Sequence, residues 1–436
     1  MSILKSEDEN FGNNKETITV NIENVNINGE GYCFINDSKI CVKNVLPNET
    51  VEIEKVFEKK NFIKAKLLRV KNESSERIVP KCKYYGQCGG CDCQFLENKS
   101  ALKLKKQIFE DYFKDLYQGT IEIQDSKEIF KYRNKVSFAI KNQKIGFQRE
   151  GSNEIVEVDK CLIAKPEINK ILLLLKNWLN ETKNTKINHA VVRVLNKKVS
   201  LVLVCSETPN NLESLIDGLE KLFFDGNFGL YLNFNNSNDY ILSNKFKHIF
   251  GLKFLEDLEN NINYFVHPYS FMQVNDFVRN EIYSFVLSQI ENQIVIEGYC
   301  GAGLLTAIIS TKAKKVIGVE INKQATLSAD KLKEFNKITN MDNVNGDCAS
   351  VLPYLAKKYP NSTFVIDPPR SGCDSKTLSS IIENKIKKII YISCNPYTLK
   401  QNVKFLSSNY KVKSLKIFNM FPQTFETEMV AVLERI

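Results

Sequence analysis

The sequence predicts an α/β protein, with a doubly wound, largely parallel sheet preceded by a central α+β domain and an N-terminal OB-like β-barrel. Three observations predict this fold. Short strand-like runs with turns between them fill residues 16–70, which indicates a small barrel. Strands and helices are mixed over residues 130–260. From about residue 264 onward they alternate, which is typical of a parallel sheet covered by helices.

The length of 436 residues is too great for one ordinary core, and we expect three domains, over residues 1–75, 76–262 and 263–436. No apolar run approaches the ~20 residues that span a bilayer. The first ten residues, MSILKSEDEN, lack the apolar core of a signal peptide and contain early acids. We therefore expect a cytoplasmic protein without a membrane partner, and we expect a monomer.

The net charge and the cysteine and histidine content limit the binding partners and the kinds of site that we expect. The net charge is +9, from 60 Lys and Arg against 51 Asp and Glu. This excess suits a polyanion such as RNA, but it also fits a solvated, lysine-rich surface, so charge alone leaves both open. The chain has twelve cysteines, and a cytosolic protein keeps them reduced. The three histidines are far apart in sequence, which argues against a histidine-based metal site or triad.

The N-terminal elements follow from strand patterns and one helical pattern. A boundary is predicted at the turn-rich stretch KNESSERIVP (71–80), and one helix over residues 96–116. Trp178 lies in an apolar helical run and is predicted to be a core residue. The predicted barrel strands are ETITVNIENV, GEGYCFIND, KICVKNV, ETVEIEKVFEKK and NFIKAKLLRV.

A cysteine cluster lies between the predicted barrel and this helix. Cys82, Cys88 and Cys91 follow the spacing C-x5-C-x2-C, and two glycines between the last two allow the backbone to wrap closely. Four thiolates bind either zinc or a [4Fe–4S] cluster. Zinc favours paired C-x2-C hooks, of which one is present, and the radical C-x3-C-x2-C spacing is absent. The residues alone leave Cys93 and Cys161 open as the fourth ligand.

A nucleotide-binding turn is predicted at IVIEGYCGAGLLT (294–306). Gly301 permits a tight turn and close approach of a ligand to the backbone. Glu320 ends the next strand, where an acid accepts ribose hydroxyls, and Asp347 follows a third strand near the expected adenine. The pattern serves NAD and S-adenosylmethionine alike. Thr306 stands where a dinucleotide fingerprint has its third glycine, which weakens the NAD interpretation.

Two later strands end at the same predicted sheet edge, where such folds bind ligands. FVIDPPR (364–370) places Asp367 before two prolines that fix a rigid loop. An amino-methylating enzyme typically has an aromatic residue after the prolines, whereas this chain has Arg370. The strand KKIIYIS then ends at Cys394. Alone, this thiol fits a packing cysteine more often than a reactive one.

The thiol beside a methyl donor suggests covalent catalysis on a pyrimidine. Thiolate addition to carbon 6 of uracil makes an enolate, whose carbon 5 attacks a methyl group. A free thiol has a pKa of about 8.5, so the site should lower that pKa or move the proton away. A base must then remove the carbon 5 proton. Glu426 and Glu428 stand before the last predicted strand and are the candidates, although an ordinary strand-edge acid fits that position too.

These motifs together resemble the S-adenosylmethionine-dependent RNA uracil-5-methyltransferases, specifically the iron–sulfur 23S rRNA (uracil-5-) branch, over nearly the whole chain. The resemblance implies a Rossmann-like class I methyltransferase domain with Cys394 as nucleophile and Glu428 as base. It also implies that Gln273, Tyr299, Glu320 and Asp367 line the pocket. The family often has His where this chain has Glu426, which leaves open a swap of roles between the two glutamates. The motifs that carry the resemblance are SFMQVN (270–275), GYCGAG (298–303), GVE (318–320), IDPPRSG (366–372), ISCNP (392–396) and FPQT…E (421–428).

The same resemblance implies a [4Fe–4S] cluster on Cys82, Cys88, Cys91 and Cys161, with Cys93 as a bystander. We expect the cluster to shape the RNA-binding part rather than to perform redox chemistry. The barrel resembles a TRAM domain, an RNA-binding module, and the target uridine must leave its stack. An rRNA site is favoured and a tRNA site stays open. The alternatives are an amino-methylating enzyme with a structural cysteine and a non-catalytic RNA-binding iron–sulfur protein.

Overall fold

The computed structural model describes residues 17–237 and 239–436, which form two compact units. The first unit comprises the described residues up to Val79 together with Phe95–Glu97, and the second comprises Pro80–Gln94 and Asn98–Ile436. The segment MSILKSEDEN, on which the expected cytoplasmic location depends, lies outside the described residues. Among the described residues, no helix combines the length and the apolar character that crossing a membrane requires.

The first unit is a six-stranded sheet in the order β1-β5-β6-β4-β3-β2. Alternate residues of the long strand β5, such as Val51 and Ile53, are buried while their neighbours are partly exposed, as in a sheet with one solvated face. The first predicted run forms two short strands, because its register breaks after Asn21. The strands are β1 (Thr17–Asn21), β2 (Asn24–Val25), β3 (Gly31–Ile35), β4 (Ser38–Val42), β5 (Thr50–Lys59) and β6 (Phe62–Asn72).

The second unit begins with the cysteine segment, one helix and a seven-stranded sheet in the order β10-β9-β8-β11-β12-β13-β14. The helices α2 and α3 bury their apolar residues in the core of this sheet, and Trp178 is 2% exposed, which confirms its predicted core position. These elements are α1 (Asn98–Phe113), β7 (Glu122–Gln124), β8 (Lys135–Lys141), β9 (Lys144–Gln148), β10 (Ile155–Glu157), α2 (Pro166–Thr182), β11 (Ile187–Leu195), β12 (Lys198–Cys205), α3 (Leu212–Leu222), β13 (Phe228–Phe234) and β14 (Phe246–Gly251).

The remaining chain forms a hairpin and an eight-stranded sheet in the order β19-β18-β17-β20-β21-β23-β22-β7. The elements are β15 (Leu255–Glu259), β16 (Ile262–Val266), α4 (Asp276–Ser288), β17 (Ile294–Gly298), α5 (Leu304–Ser310), β18 (Lys315–Glu320), α6 (Lys323–Phe335), β19 (Met341–Asn345), α7 (Cys348–Lys358), β20 (Thr363–Ile366), α8 (Ser375–Glu383), β21 (Lys388–Ser393), α9 (Pro396–Leu406), β22 (Tyr410–Phe418) and β23 (Glu428–Arg435).

The topology of this sheet explains where a ligand can bind. The strands from β19 to β21 are parallel, whereas β23 inserts antiparallel between β21 and β22. The chain moves outward in one direction from β17 to β19 and in the other from β20, so the strand order reverses beside β17. The predicted doubly wound, largely parallel sheet is confirmed. The carboxyl ends of β17, β18, β20 and β21 meet at one edge beside this switch point.

Candidate active site

The turn between β17 and α5 has an unusual backbone that leaves open space. Tyr299, Gly301 and Gly303 all have positive φ, of 62°, 55° and 80°. A Cβ atom on Gly303 would lie 2.6 Å from the Cβ atom of Ala329, so only glycine fits that position. A Cβ atom on Gly301 would meet no atom within 4 Å. The turn is therefore closely packed on one side and open on the other.

Two of the predicted cofactor acids hold the backbone around this opening. Glu320 ends β18, and its two carboxylate oxygens accept hydrogen bonds from the Gly301 amide at 3.0 Å and the Asn322 amide at 2.7 Å. Asp347 caps α7 by accepting a hydrogen bond from the Ser350 amide at 3.1 Å. Asp347 Oδ2 also accepts from the Ser350 hydroxyl at 3.1 Å, which leaves Asp347 Oδ1 and a second lone pair on each Glu320 oxygen to accept a ligand hydroxyl.

A buried carboxyl group that the sequence interpretation did not select lies below this turn. Glu297 is 2% exposed, and its Oε2 atom has no hydrogen-bond partner among the described residues. Burial, reinforced by the charges of Asp367 and Glu320, raises the pKa of Glu297 to about 8. Burial alone raises the pKa of Asp367 to about 7. The site thus concentrates negative groups, and a positively charged ligand would offset the cost of ionising them.

Glu428 is the first residue of β23 and is 2% exposed. Burial raises its pKa well above the ordinary value, and the charge of Asp367 adds to that increase. A hydrogen bond with Gln273 and the charge of Arg370 act in the opposite direction. Gln273 is fixed in turn, since its backbone oxygen accepts a hydrogen bond from the Asn134 side chain at 3.2 Å. The pKa of Glu428 therefore lies well above that of an ordinary glutamate, so this carboxylate holds a proton more tightly than an exposed one does.

Cys394 follows β21 at the same edge of the sheet and is half-buried. The next residue, Asn395, caps α9 by accepting a hydrogen bond from the Tyr397 amide at 3.0 Å, which fixes the position of the thiol. Burial and then Glu428 raise the pKa of Cys394 to about 11, while Arg370 lowers it. The sequence predicted a lowered pKa or a transferred proton. The raised pKa favours the second of these, so a reaction requires the thiol proton to be moved.

An ion pair lies beside the thiol. Arg370 Nη2 is 3.2 Å from Glu426 Oε1, and their side chains are 70% and 55% exposed. The backbone oxygen of Arg370 accepts a hydrogen bond from Asn395 at 2.8 Å, and its guanidinium also reaches the Cys394 thiol. Glu426 is thus paired and solvated, whereas Glu428 is buried among other acids. The two glutamates have different environments, although they are two residues apart.

The cysteine segment forms a separate cavity of about 200 Å³, and Cys82, Cys88, Cys91 and Cys161 all line it. Burial, reinforced by the three neighbouring thiols, raises the pKa of Cys91 to about 12. Cys93 does not line the cavity and is buried beside Lys105 instead. Within the described part of the chain, no three His, Cys, Asp or Glu side chains are arranged to hold a single metal ion.

Comparisons with known proteins identify related sequences. A family model described as tRNA (uracil-5-)-methyltransferase matches residues 97–347 and 354–436. An RNA methyltransferase of Caldanaerobacter subterraneus, named as uncharacterized, is 32% identical over 97% of this chain and 98% of its own length. A similarly named protein of Clostridium acetobutylicum is 30% identical over 94% of this chain and 95% of its own length.

A solved structure has the same fold over nearly the whole chain. The Pyrococcus abyssi tRNA (uracil-54, C5)-methyltransferase, in complex with S-adenosyl-L-homocysteine, superposes with a TM-score of 0.78. It covers 95% of this chain and 100% of its own, with 23% sequence identity. At that identity the superposition shows a shared fold, that of class I methyltransferases.

Proposed function

The chain belongs to the tRNA (uracil-5-)-methyltransferase family, and from this premise we propose that it transfers a methyl group from S-adenosylmethionine to carbon 5 of a uridine in RNA. The observation that carries this proposal is the position of Cys394. The half-buried thiol lies at the ligand-binding edge of the sheet, with Arg370, Glu428 and Asp367 close enough to shift its pKa. A cysteine that only filled a core would not need these charged neighbours.

The residues present fit S-adenosylmethionine. When bound, it supplies an electrophilic methyl group carried by a positively charged sulfur. Gly301 provides open space, and Glu320 and Asp347 provide carboxylate oxygens at the ends of β18 and β19. The unpartnered oxygen of Glu297 and the buried carboxyl of Asp367 favour a cationic ligand over a neutral one. Gln273 and Tyr299 complete the proposed lining.

We assign the nucleophile to Cys394. Its sulfur bonds to carbon 6 of the uracil, and the electron pair of the carbon 5–carbon 6 double bond moves to make carbon 5 nucleophilic. Carbon 5 then takes the methyl group. The positive charge of Arg370 stabilises the thiolate that starts the reaction, against the effects of burial and of Glu428.

We assign the removal of the carbon 5 proton to Glu428. Loss of the carbon 5 proton restores the carbon 5–carbon 6 double bond and expels the Cys394 sulfur, so the enzyme returns to its initial state. The buried position and raised pKa of Glu428 suit a group that must accept and keep a proton near neutral pH. Glu426 suits this role less well, because its carboxylate is exposed and is paired with Arg370.

The RNA substrate is expected to contact aromatic side chains in two places. Phe271 is 81% exposed and stands two residues before Gln273, which hydrogen-bonds with the proposed base. It is available to stack on the target base or a neighbour. In the N-terminal sheet, Phe34, Phe57 and Phe62 are 53%, 44% and 37% exposed, as expected of a TRAM-like RNA-binding surface. We propose 23S rRNA as the substrate and a cytoplasmic location. The family's own description favours tRNA as the alternative.

We further propose that the cysteine cavity holds a [4Fe–4S] cluster. Thiolates around one tetrahedral zinc ion lie about 3.8 Å apart, given a Zn–S distance of about 2.3 Å. The described cysteines are not arranged around a single ion, yet all four line one cavity. A four-iron cluster needs thiolates that are farther apart than a single ion does. Cys82, Cys88, Cys91 and Cys161 are the proposed ligands, and each would bind as a thiolate.

RNA that contains 5-fluorouridine tests the methyl-transfer proposal. Fluorine replaces the hydrogen at carbon 5, so no proton can be removed there after methylation. The sulfur–carbon bond therefore persists. We expect a complex of protein and RNA that survives denaturing electrophoresis and depends on S-adenosylmethionine. It should be absent in Cys394→Ala and present in Cys205→Ala, a matched change at a buried cysteine of β12 in the seven-stranded sheet. With a substrate that the wild type binds, absence of the complex would favour an amino-methylating enzyme or a non-catalytic RNA-binding protein.

A further inference from the structure

The cysteine segment is hydrogen-bonded directly to the loop that precedes Glu428. We call residues 419–427 the base loop. The backbone amides of Asp92 and Cys93 donate to the Gln423 oxygen at 3.2 and 3.0 Å. In return, the Asp92 carboxylate accepts a hydrogen bond from the Phe425 amide at 2.9 Å. Three hydrogen bonds therefore join segments that are more than 300 residues apart in the sequence.

The base loop needs such support because its backbone is strained. Gln423 has φ of 72°, a left-handed conformation that side chains other than Gly, Asn and Asp seldom adopt. The peptide oxygen of this residue is the one that accepts both amides. Beyond it, the Thr424 hydroxyl accepts a hydrogen bond from the Glu426 amide at 3.2 Å, and Glu428 begins β23. The backbone conformation of Gln423 thus determines the direction in which the chain continues to Glu426 and Glu428.

A second contact connects the same loop to the cysteine cavity. The Tyr132 hydroxyl donates to the Pro422 oxygen at 3.0 Å, and Tyr132 is 4% exposed. The next residue in the chain, Arg133, lines the cysteine cavity. Tyr132 therefore contacts the base loop with its hydroxyl group and adjoins a cavity-lining residue in the sequence.

We propose that Asp92 is a positioning residue of the methyl-transfer site, and that Asp92 and Tyr132 make the geometry of Glu428 depend on the state of the cysteine cavity. This inference rests on the proposed function. Asp92 follows Cys91 directly, and adjacent Cα atoms are held about 3.8 Å apart. Any rearrangement of the Cys91 backbone therefore displaces the carboxylate that holds the base loop. The cysteine site then controls the base without taking part in electron transfer.

The test compares five variants of the full chain, of which Cys91→Ala alters the cysteine cavity itself. Asp92→Ala removes the acceptor, and Asp92→Asn keeps an oxygen that can accept from Phe425. Tyr132→Phe removes one hydroxyl and is the milder change should Asp92→Ala fail to fold. Asp342→Ala is the matched control, because Asp342 pairs with Lys315 and Lys333 and none of these three residues belongs to the cysteine segment or the base loop.

Two readouts distinguish positioning from general damage. Hydrogen exchange of peptides covering residues 421–428 should accelerate about 10- to 100-fold in Asp92→Ala and about 10-fold in Tyr132→Phe. It should stay near the wild-type rate in Asp92→Asn and Asp342→Ala. The kcat for methyl transfer should fall about 10-fold or more in Asp92→Ala, while KM for S-adenosylmethionine stays unchanged. Cys91→Ala should accelerate exchange of the same peptides.

The results separate this inference from the proposed function. Suppose that the wild type forms the 5-fluorouridine complex, but exchange and kcat in Asp92→Ala and Tyr132→Phe match the wild type. The positioning role is then overturned, and the methyltransferase assignment stands. If the wild type forms no complex, the proposed function fails, and the role of Asp92 in positioning a base is overturned with it.

Discussion

Replacing Arg370 by glutamine should make the Cys394 thiol harder to ionise. The guanidinium hydrogen-bonds with this thiol and lowers its pKa, whereas burial, Glu428 and Asp367 raise it. Arg370→Gln removes the charge and leaves a shorter, neutral amide side chain. The backbone oxygen of residue 370, which accepts from Asn395, is unaffected. Comparison with Arg370→Lys, which keeps the charge but not the guanidinium, identifies the electrostatic contribution of this side chain.

The magnitude follows from the exposure of the side chain. Unit charges about 4 Å apart interact by about 1 kcal/mol in water and by about 4 kcal/mol at an effective dielectric constant of 20. Since the Arg370 side chain is 70% exposed, the value in water applies. A loss of about 1 kcal/mol lowers the thiolate fraction about five-fold and raises the thiol pKa by about 0.7.

Alkylation by iodoacetamide measures this thiolate fraction. At pH values below the Cys394 pKa of about 11, the alkylation rate should rise ten-fold per pH unit in every variant. At each pH, the rate for Arg370→Gln should be about five-fold lower than that of the wild type. Arg370→Lys should lie near the wild type, since the charge is kept. Glu426→Gln should lie higher, because it releases Arg370 toward the thiol. Equal rates for the wild type and Arg370→Gln would refute the reasoning.

Three further predictions concern the base, the buried acid and the cavity. Glu428→Gln should slow turnover at least about 100-fold, because the methylated covalent complex with ordinary RNA cannot lose its carbon 5 proton and accumulates on denaturing gels. Glu297→Gln should raise the thermal unfolding midpoint at pH 7 and not below pH 4.5. In the folded protein Glu297 keeps its proton up to about pH 8, whereas in the unfolded chain it loses that proton near pH 4.5. This difference lowers the free energy of unfolding by about 3 kcal/mol at pH 7. Cys161→Ser should reduce the iron content measured under anaerobic conditions, and Cys93→Ser should not.

Local patterns were sufficient to predict most of the fold. Alternating strand and helix patterns after residue 264 predicted the parallel sheet, because each strand is a short apolar run bounded by turns. The prediction did not include β7, whose three residues carry no strand signal and pair with β22 far along the chain. Pairing of such a short strand depends on tertiary contacts and not on its own sequence.

The candidate site was predictable where the residues of a motif themselves determine the local backbone conformation. Gly301 and Asp367 stand in turns that glycine or proline residues define, so their place at the sheet edge follows from the strands before them. Glu297 was missed because a glutamate within an apolar strand gives no local sign that it faces other acids. The contact between Asp92 and the base loop was missed for a related reason, since the two segments meet only in the folded chain.

The most direct test of the covalent mechanism is mass spectrometry of the protein after reaction with 5-fluorouridine RNA and S-adenosylmethionine. Digestion with nuclease and protease should yield the peptide containing Cys394 with the added mass of one methylated fluorouridine nucleotide. Fragmentation should place that mass on the sulfur of residue 394. A nucleotide mass on any other residue, or methylated RNA from the Cys394→Ala protein, would contradict the account.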